Sequence, residues 1–518
     1  MLDPHRERSV LPLAFLCALA LFVASQYSLR WLPAYHDAAL HWESAQLFFD
    51  RPWFPFVTEH DTGHPPLISW LLGALWHLPM SRLLAMHLLG WMAAALLCAA
   101  LFDIGRRTKG LFFGLCLAAL VGFHPVVLAQ ALQLNLDLFQ VAFAWTAVAG
   151  MVAGRPWQVA LALTATSLTK LNGPFSIPPL ALWIGWRLLQ EGSLGNARRV
   201  LAAVWPIAIP SGVFVLYHAL KYRLTGHLLV SPEFQDDNLR FVGTVSEYFG
   251  RLRHALGQLL GFHNPNLMML ILTVILIVIF CVRLRGPGSV RTAWEQLQPG
   301  KSAHSDRRFF RPLLPQETLA LSVLFASGHL LLWAVRRYFA LVRYTMVIQP
   351  ALALCLLMMA VLAFPQQWRR ALWAVTVPML LLFVLTSHPR RASFLPKAIA
   401  AQLAFPPTGI DTNHENNLEL IDELDTARRA LADIEQRLPP RVTIETRWPF
   451  NFFFTDPSLG MVKTPYRVVP TGGEVLFLPS ASLHSTDPPP LTPRPGYQVS
   501  AIHRSERVLD VTFVRKFK

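Results

Sequence analysis

The 518 residues are 53% hydrophobic and only 15% charged, which is too apolar for a large soluble protein and fits a polytopic membrane protein. The formal charge of +15 is explained by Lys and Arg held in cytoplasmic loops beside anionic lipid, so it gives no reason to expect a nucleic-acid partner. The five cysteines, Cys17, Cys98, Cys116, Cys281 and Cys355, all fall in apolar runs without metal-ligand spacing; this rules out a disulfide framework and leaves small core hydrophobes.

Arg6 and Arg8 precede an apolar run from about Val10 to Leu29. The run is long, no small-residue cleavage site follows it cleanly, and more spans come after, so it is read as a first transmembrane helix, a signal anchor, and not as a signal peptide. Next comes the longest polar stretch near the N-terminus, Tyr35 to Leu67. It carries the acids Asp37, Glu43, Asp50, Glu59 and Asp61 and the histidines His36, His41, His60 and His64, ringed with aromatics. Residues 38–49 suit a short helix. Residues 65–79 are too short to span comfortably, because a bilayer core takes about 20 apolar residues per helix, and read as an interfacial or re-entrant helix.

Candidate spans lie near 10–30, 82–103, 111–128, 138–153, 156–171, 173–188, 200–220, 266–283, 316–335, 345–362 and 370–387. Basic residues gather in alternate loops: Arg106, Arg107 and Lys109; Arg187, Arg198 and Arg199; Arg283 to Arg311; Arg369 and Arg370. With a cytoplasmic N-terminus all of these loops are cytoplasmic, which supports about eleven spans and puts Tyr35–Leu67, the turns at Asp137 and Lys170, the loop 221–265 and the tail outside. The segment 336–343, with Arg336, Arg337 and Arg343, breaks the rule; a phosphate at the outer interface would account for it. The loop 221–265, with Glu233, Asp236, Asp237, His254 and His263, has the length of a lid.

The tail from about Ser387 differs in kind. Apolar positions from Leu418 to Leu438 recur with a helical period. Short strand-like runs follow at 441–446, 474–479 and 508–515 between Pro- and Gly-rich turns. The fold expectation is therefore an all-α polytopic membrane domain over 1–387, with a first external loop at 31–81, followed by a small C-terminal α/β extramembrane domain over 388–518.

Each polar residue near the outer interface has a bland reading beside a chemical one. Asp37 can cap a short helix and Asp137 can cap the fourth span. Yet acids at membrane depth are costly and usually functional, and two carboxylates on one side of the bilayer suit orienting an acceptor, taking its proton or holding a cation. His64 in GHPPL stands at a helix entry whose positive dipole end can meet a phosphate oxygen, or is an ordinary interfacial histidine. Lys170 in LTKLNGP and Arg343 at the start of span ten can anchor in lipid headgroups or point into a cavity, where a guanidinium binds phosphate with two parallel bonds.

The order of these features is an acid after the first span, H-P-P-L before the second, an acid entering the fourth, T-K-x-x-G-P between the fifth and sixth, and R-Y…P late on. That order resembles the GT-C integral-membrane glycosyltransferases, most closely the branch holding the protein O-mannosyltransferases and the aminoarabinose transferase acting on lipid A. The likeness covers roughly residues 10–360. It implies Asp37 as the candidate catalytic base, with Asp137 as the second catalytic acid, and His64, Lys170 and Arg343 as donor phosphate-binding residues. Relatives often have Lys where this chain has His64, and many have Asp-Glu where it has Asp37-Ala38; Glu43, Arg336 and Arg337 are the auxiliary candidates.

The implied reaction moves a sugar from a polyprenyl-phosphate-sugar donor to a lipid, glycan or protein acceptor at the periplasmic face of a bacterial inner membrane. Membrane lipids are the surrounding partners. A divalent cation stays open as a cofactor, and no nucleotide-binding loop is visible. The competing classes are a lipid or sugar transporter or flippase, against which stands the lack of an inverted repeat, and a non-catalytic assembly protein.

Overall fold

The computed structural model describes residues 10–35, 37–51, 64–228, 242–260, 265–284, 309–335, 342–387, 418–446, 450–479, 497–504 and 509–515. The chain is a multi-pass bundle of apolar helices with an α/β unit at one end. Its helices are α1 Val10–Gln26, α2 Asp37–Asp50, α3 Leu67–Leu75, α4 Arg82–Lys109, α5 Leu111–Gly122, α6 Pro125–Ala131, α7 Leu136–Ala153, α8 Pro156–Ser167, α9 Ile177–Gln190, α10 Ala197–Thr225, α11 Val245–Leu260, α12 Pro265–Leu284, α13 Pro315–Ala334, α14 Gln349–Ala363 and α15 Trp368–Thr386.

Every candidate span falls on one of these helices except 111–128, which is divided between α5 and α6. Seven are long and apolar enough to cross a bilayer by themselves, and the α5–α6 pair makes an eighth when taken as one broken span. Helices α8, α9 and α14 are shorter than a bilayer core, with 12, 14 and 15 residues. Length and composition thus carry seven or eight of the eleven spans expected, among the described residues.

The α5–α6 break has a local cause. Pro125 lacks the N–H that would continue α5, so the chain turns by 68°, and the Val126 N–H is taken by His124 Nδ1 at 3.3 Å.

Burial sorts the helices into a centre and a rim. Of the apolar windows, 89% is covered by protein in α7 and 72% in α4, against 11% in α1 and 22% in α10. Rim helices expose large apolar side chains such as Leu13, Leu21, Leu201, Val215 and Val278, as helices facing hydrocarbon must. Small residues bring the central helices together: a Cβ on Gly105 of α4 would stand 2.7 Å from the Gly114 backbone of α5.

The two ends of the bundle differ in charge. At the C-terminal ends of α4 and α7, buried Asp103 binds Arg106 at 2.9 Å and Arg107 at 3.1 Å, with Arg155 at 4.0 Å. Arg311 lies on that end too, because Leu313 N donates to Val152 O at 2.9 Å. Asp137 opens α7 at the opposite end, where α2 and α3 pack.

The C-terminal unit comprises α16 Glu419–Arg437, α17 Phe450–Thr455 and strands β1 Thr443–Glu445, β2 Arg467–Val469, β3 Val475–Pro479, β4 Tyr497–Arg504 and β5 Leu509–Arg515. The sheet order is β2-β1-β3-β5-β4, parallel across β2-β1-β3 and antiparallel across β3-β5-β4. Leu420, Leu424, Leu431 and Ile434 recur at helical spacing and are buried, giving α16 the apolar face with which it packs on β4 and β5. The expected helix and three strands are all present; β2 and β4 are additional.

Candidate active site at one end of the bundle

Four charged residues from four separate segments meet at the end of the bundle that carries α2 and α3. Asp37 is the first residue of α2. Asp137 lies in the first turn of α7, two residues past the N-cap Asn135, so its carboxylate is not the cap of that helix. Lys170 is held in the hairpin after α8. The hairpin closes through Gly173 N to Lys170 O at 2.8 Å, and it needs glycine there, since a Cβ on Gly173 would lie 2.1 Å from Thr166 O. Arg343 sits on the 3-10 helix Val342–Val347, which Trp145 of α7 locks by donating from Nε1 to Val347 O at 2.9 Å.

The four form one chain of ion pairs. Arg343 Nη2 donates to Asp37 Oδ2 at 2.6 Å, and Arg343 Nε stands 3.2 Å from Asp137 Oδ2. Lys170 Nζ donates to Asp137 Oδ1 at 2.5 Å. Asp137, Lys170 and Arg343 are buried, whereas 46% of the Asp37 side chain is exposed, which makes Asp37 the member open to an incoming molecule. Tyr344 floors the group, its ring 4.5 Å from Lys170 Nζ and 5.5 Å from Arg343 Cζ. Two carboxylates and two cations cancel in formal charge, which is how such a network is tolerated at low dielectric.

His64 reaches this group at one remove. Its loop is tied to the Lys170 hairpin by Leu67 N donating to Leu168 O at 3.1 Å, and its ring lies 6.2 Å from that of buried His41, one helical turn beyond Asp37. Glu43 follows Asp37 by six residues, which turns it about 240° round α2 and off the Asp37 face. Arg336, Arg337, Glu233, Asp236, Asp237 and His263 lie outside the described residues. Among the described residues no group of three or more His, Cys, Asp or Glu is gathered for a metal, and the two site carboxylates are held by Arg343 and Lys170 instead.

Burial pushes the Asp37 carboxyl up, but the charge and hydrogen bond of Arg343 outweigh it, with His41 and Lys170 adding, so Asp37 titrates well below the usual carboxylate range. His41 is pulled down to about 4, first by burial; Asp37 and Asp137 oppose the shift, while Lys170 and Arg343 reinforce it. The unfolded chain takes up this proton near pH 6.5, and the folded chain resists it until about 4. His41 therefore supports folding fully above pH 6.5, and that support is lost as pH falls towards 4. His41→Gln is expected to flatten the slope of unfolding temperature over that interval; an unchanged slope refutes the assignment.

Beside the ion pairs lies a small cleft of about 20 Å³, lined by Asp137, Arg343 and Tyr344 and by residues not foreseen from the sequence, among them Gln140, Asn172, His329 and Trp333. Gln140 Nε2 donates to Asn172 O at 3.3 Å, and Asn172 Oδ1 is buried with no hydrogen-bond partner among the described residues. The ring nitrogens of His329 engage Ser176 Oγ and Phe325 O, each at 3.2 Å. The signal that could have found Gln140 and His329 is a polar residue inside an apolar helix.

The bundle, its first-loop helices and its C-terminal α/β unit share the fold of a solved membrane protein, ArnT. Among solved structures the chain is similar to ArnT from Cupriavidus metallidurans in the apo state, with 14% identity, coverage of 95% of this chain and 97% of that chain, and a TM-score of 0.50. It is also similar to ArnT of the same organism bound to undecaprenyl phosphate, with 14% identity, the same coverage and a TM-score of 0.48. A third neighbour is the Archaeoglobus fulgidus oligosaccharyltransferase in the apo form, with 12% identity, 90% and 64% coverage and a TM-score of 0.43. No protein-family model and no curated protein sequence matches the chain.

Proposed function

We propose that this chain is a membrane glycosyltransferase that takes a sugar from a polyprenyl-phosphate-linked donor and passes it to a hydroxyl of a lipid, glycan or protein acceptor. The observation that carries the reading is the ion-pair chain Asp37–Arg343–Asp137–Lys170 beside a cleft at one end of a membrane bundle. A fold shared with ArnT supports it. The opposite end carries Arg106, Arg107, Arg155 and Arg311, the pattern of a cytoplasmic face, so the site belongs on the periplasmic side of a bacterial inner membrane.

The donor phosphate enters against Arg343 and Lys170, with His64 behind. Lys170 spends one of its three N–H donors on Asp137, which leaves others for phosphate oxygens. The sugar docks at the mouth of the cleft, on the side lined by Gln140, Asn172 and Trp333. Phosphate competing for Arg343 draws the guanidinium from Asp37 and so makes the carboxylate more basic; donor binding thereby readies the base. The acceptor oxygen then bonds to the anomeric carbon from the face opposite the phosphate, its proton passing to Asp37. The bond from that carbon to the phosphate oxygen breaks, and the electron pair leaves on the lipid phosphate, whose charge Arg343 and Lys170 stabilise. One displacement inverts the anomeric centre.

The test is release of polyprenyl phosphate by the purified protein in lipid nanodiscs, assayed over a panel of polyprenyl-phosphate sugars with a lipid extract as acceptor source. Release with sugar appearing on an acceptor is expected. Donor crossing a liposome bilayer unchanged, with no lipid phosphate released from any member of the panel, would point to transport and end the transferase reading.

A further inference from the structure

We infer that the C-terminal α/β unit positions Asp37, gripping helix α2 on both sides of the carboxylate; the catalytic part of this inference rests on the transferase reading above. Two residues before Asp37, the buried ring of Tyr35 lies against two phenylalanines of α17, edge-on to Phe450 at 5.6 Å between centroids and stacked on Phe453 at 5.9 Å. Five residues after Asp37, the buried indole of Trp42 donates from Nε1 to Asp456 Oδ2 at 3.0 Å.

Asp456 is itself fixed. Its other oxygen, Oδ1, accepts from Ser458 N at 2.8 Å and Ser458 Oγ at 2.5 Å, capping the 3-10 helix Pro457–Leu459. Further out, Arg428 of α16 covers the Trp31 ring at 5.0 Å. Both anchors of the Asp37 segment therefore come from one short stretch, 450–458, more than 400 residues away along the chain. Asp37 is half exposed and pairs with Arg343 on a separate segment, so the pose of its carboxylate depends on how firmly α2 is held. Trp42 and Asp456 are positioning residues acting through α2, in the way that outer groups fix the orientation of a reacting one.

Two conservative variants cut the bond without emptying the interface. Trp42→Phe removes the N–H and keeps a ring against Trp76, which lies 4.8 Å away. Asp456→Asn keeps one oxygen for the Ser458 cap and sets an amide N–H₂ opposite the indole N–H. Each full-length variant and the double variant is measured for kcat, for KM of a polyprenyl-phosphate sugar, and for hydrogen exchange of residues 37–50, with α4 as the reference segment.

The expected result is faster exchange across 37–50 with α4 unchanged, and kcat lowered roughly ten- to a hundredfold. KM should hold, because Lys170 and Arg343 stand on the bundle, and the double variant should be no worse than the poorer single one. Unchanged exchange in 37–50 overturns the grip. Faster exchange with full kcat, or losses that multiply in the double variant, overturns the positioning role. If the unaltered protein releases no lipid phosphate, the transferase reading falls, while the exchange measurement still decides whether the grip exists.

Discussion

Replacing Asp137 by Asn is expected to cost about 3–5 kcal/mol of stability and to abolish transfer, because it breaks a buried pair from one side only. Asp137 touches both cations, Lys170 at 2.5 Å and Arg343 at 3.2 Å, and the side chains of both are about 95% buried. Asparagine keeps the volume but returns no charge, so two buried positive groups would face one half-exposed carboxylate, Asp37. A second substitution separates charge from shape. Removing one partner of a buried pair is far costlier than removing both, so Asp137→Asn with Lys170→Met should recover much of the stability and none of the turnover. Thermal unfolding in detergent, read by tryptophan fluorescence, checks the first part, and lipid-phosphate release checks the second. Wild-type stability in the single variant would mean that the ion pairs are not the means by which these charges are held in the fold.

The same network shows what a sequence can and cannot reveal. The bundle is legible because hydrocarbon demands long apolar runs, and each run became a helix. Where reading and structure part, the reason is local: residues 111–128 read as one span, yet Pro125 bends the chain by 68° and the second limb continues to Ala131. The convergence of Asp37, Asp137, Lys170 and Arg343 was legible from their order along alternating spans. Their pairing was not, since Arg343 meets a carboxylate 306 positions earlier and no periodicity records that distance. Residue order alone assigns the acids to the acceptor and the cations to phosphate, whereas in the structure they pair with each other. Strand β4 is weakly marked in the sequence although Tyr-Gln-Val-Ser-Ala-Ile alternates, because it lies at the sheet edge beside β5 and is interrupted between Val499 and Ala501. The Phe-rich run at 450–454 carries no local sign of its role, since its partner Tyr35 lies on the first external loop.

Asp37→Asn is expected to leave a folded protein that binds donor and turns over two to four decades more slowly, the range that one positioned base supplies. The asymmetry with Asp137 follows from exposure. Asp37 is the open end of the ion-pair chain, and its loss leaves Arg343 with buried Asp137 still beside it. Stability should fall by less than in Asp137→Asn, and KM for the donor should stay level or fall, because phosphate no longer competes with Asp37 for the guanidinium. The pH response follows from the same pair. Arg343 holds the Asp37 carboxyl below the usual carboxylate range, so Asp37 favours the folded state above the ordinary aspartate value, and that contribution disappears as pH falls through its lowered folded value. Arg343→Gln removes the cation that holds the carboxyl down, so the acid limb of kcat/KM should move to higher pH. A limb that stays in place in Arg343→Gln, or an Asp37→Asn protein that keeps a tenth of wild-type kcat, would remove Asp37 from the proton's path and shift the base to another group in the cleft.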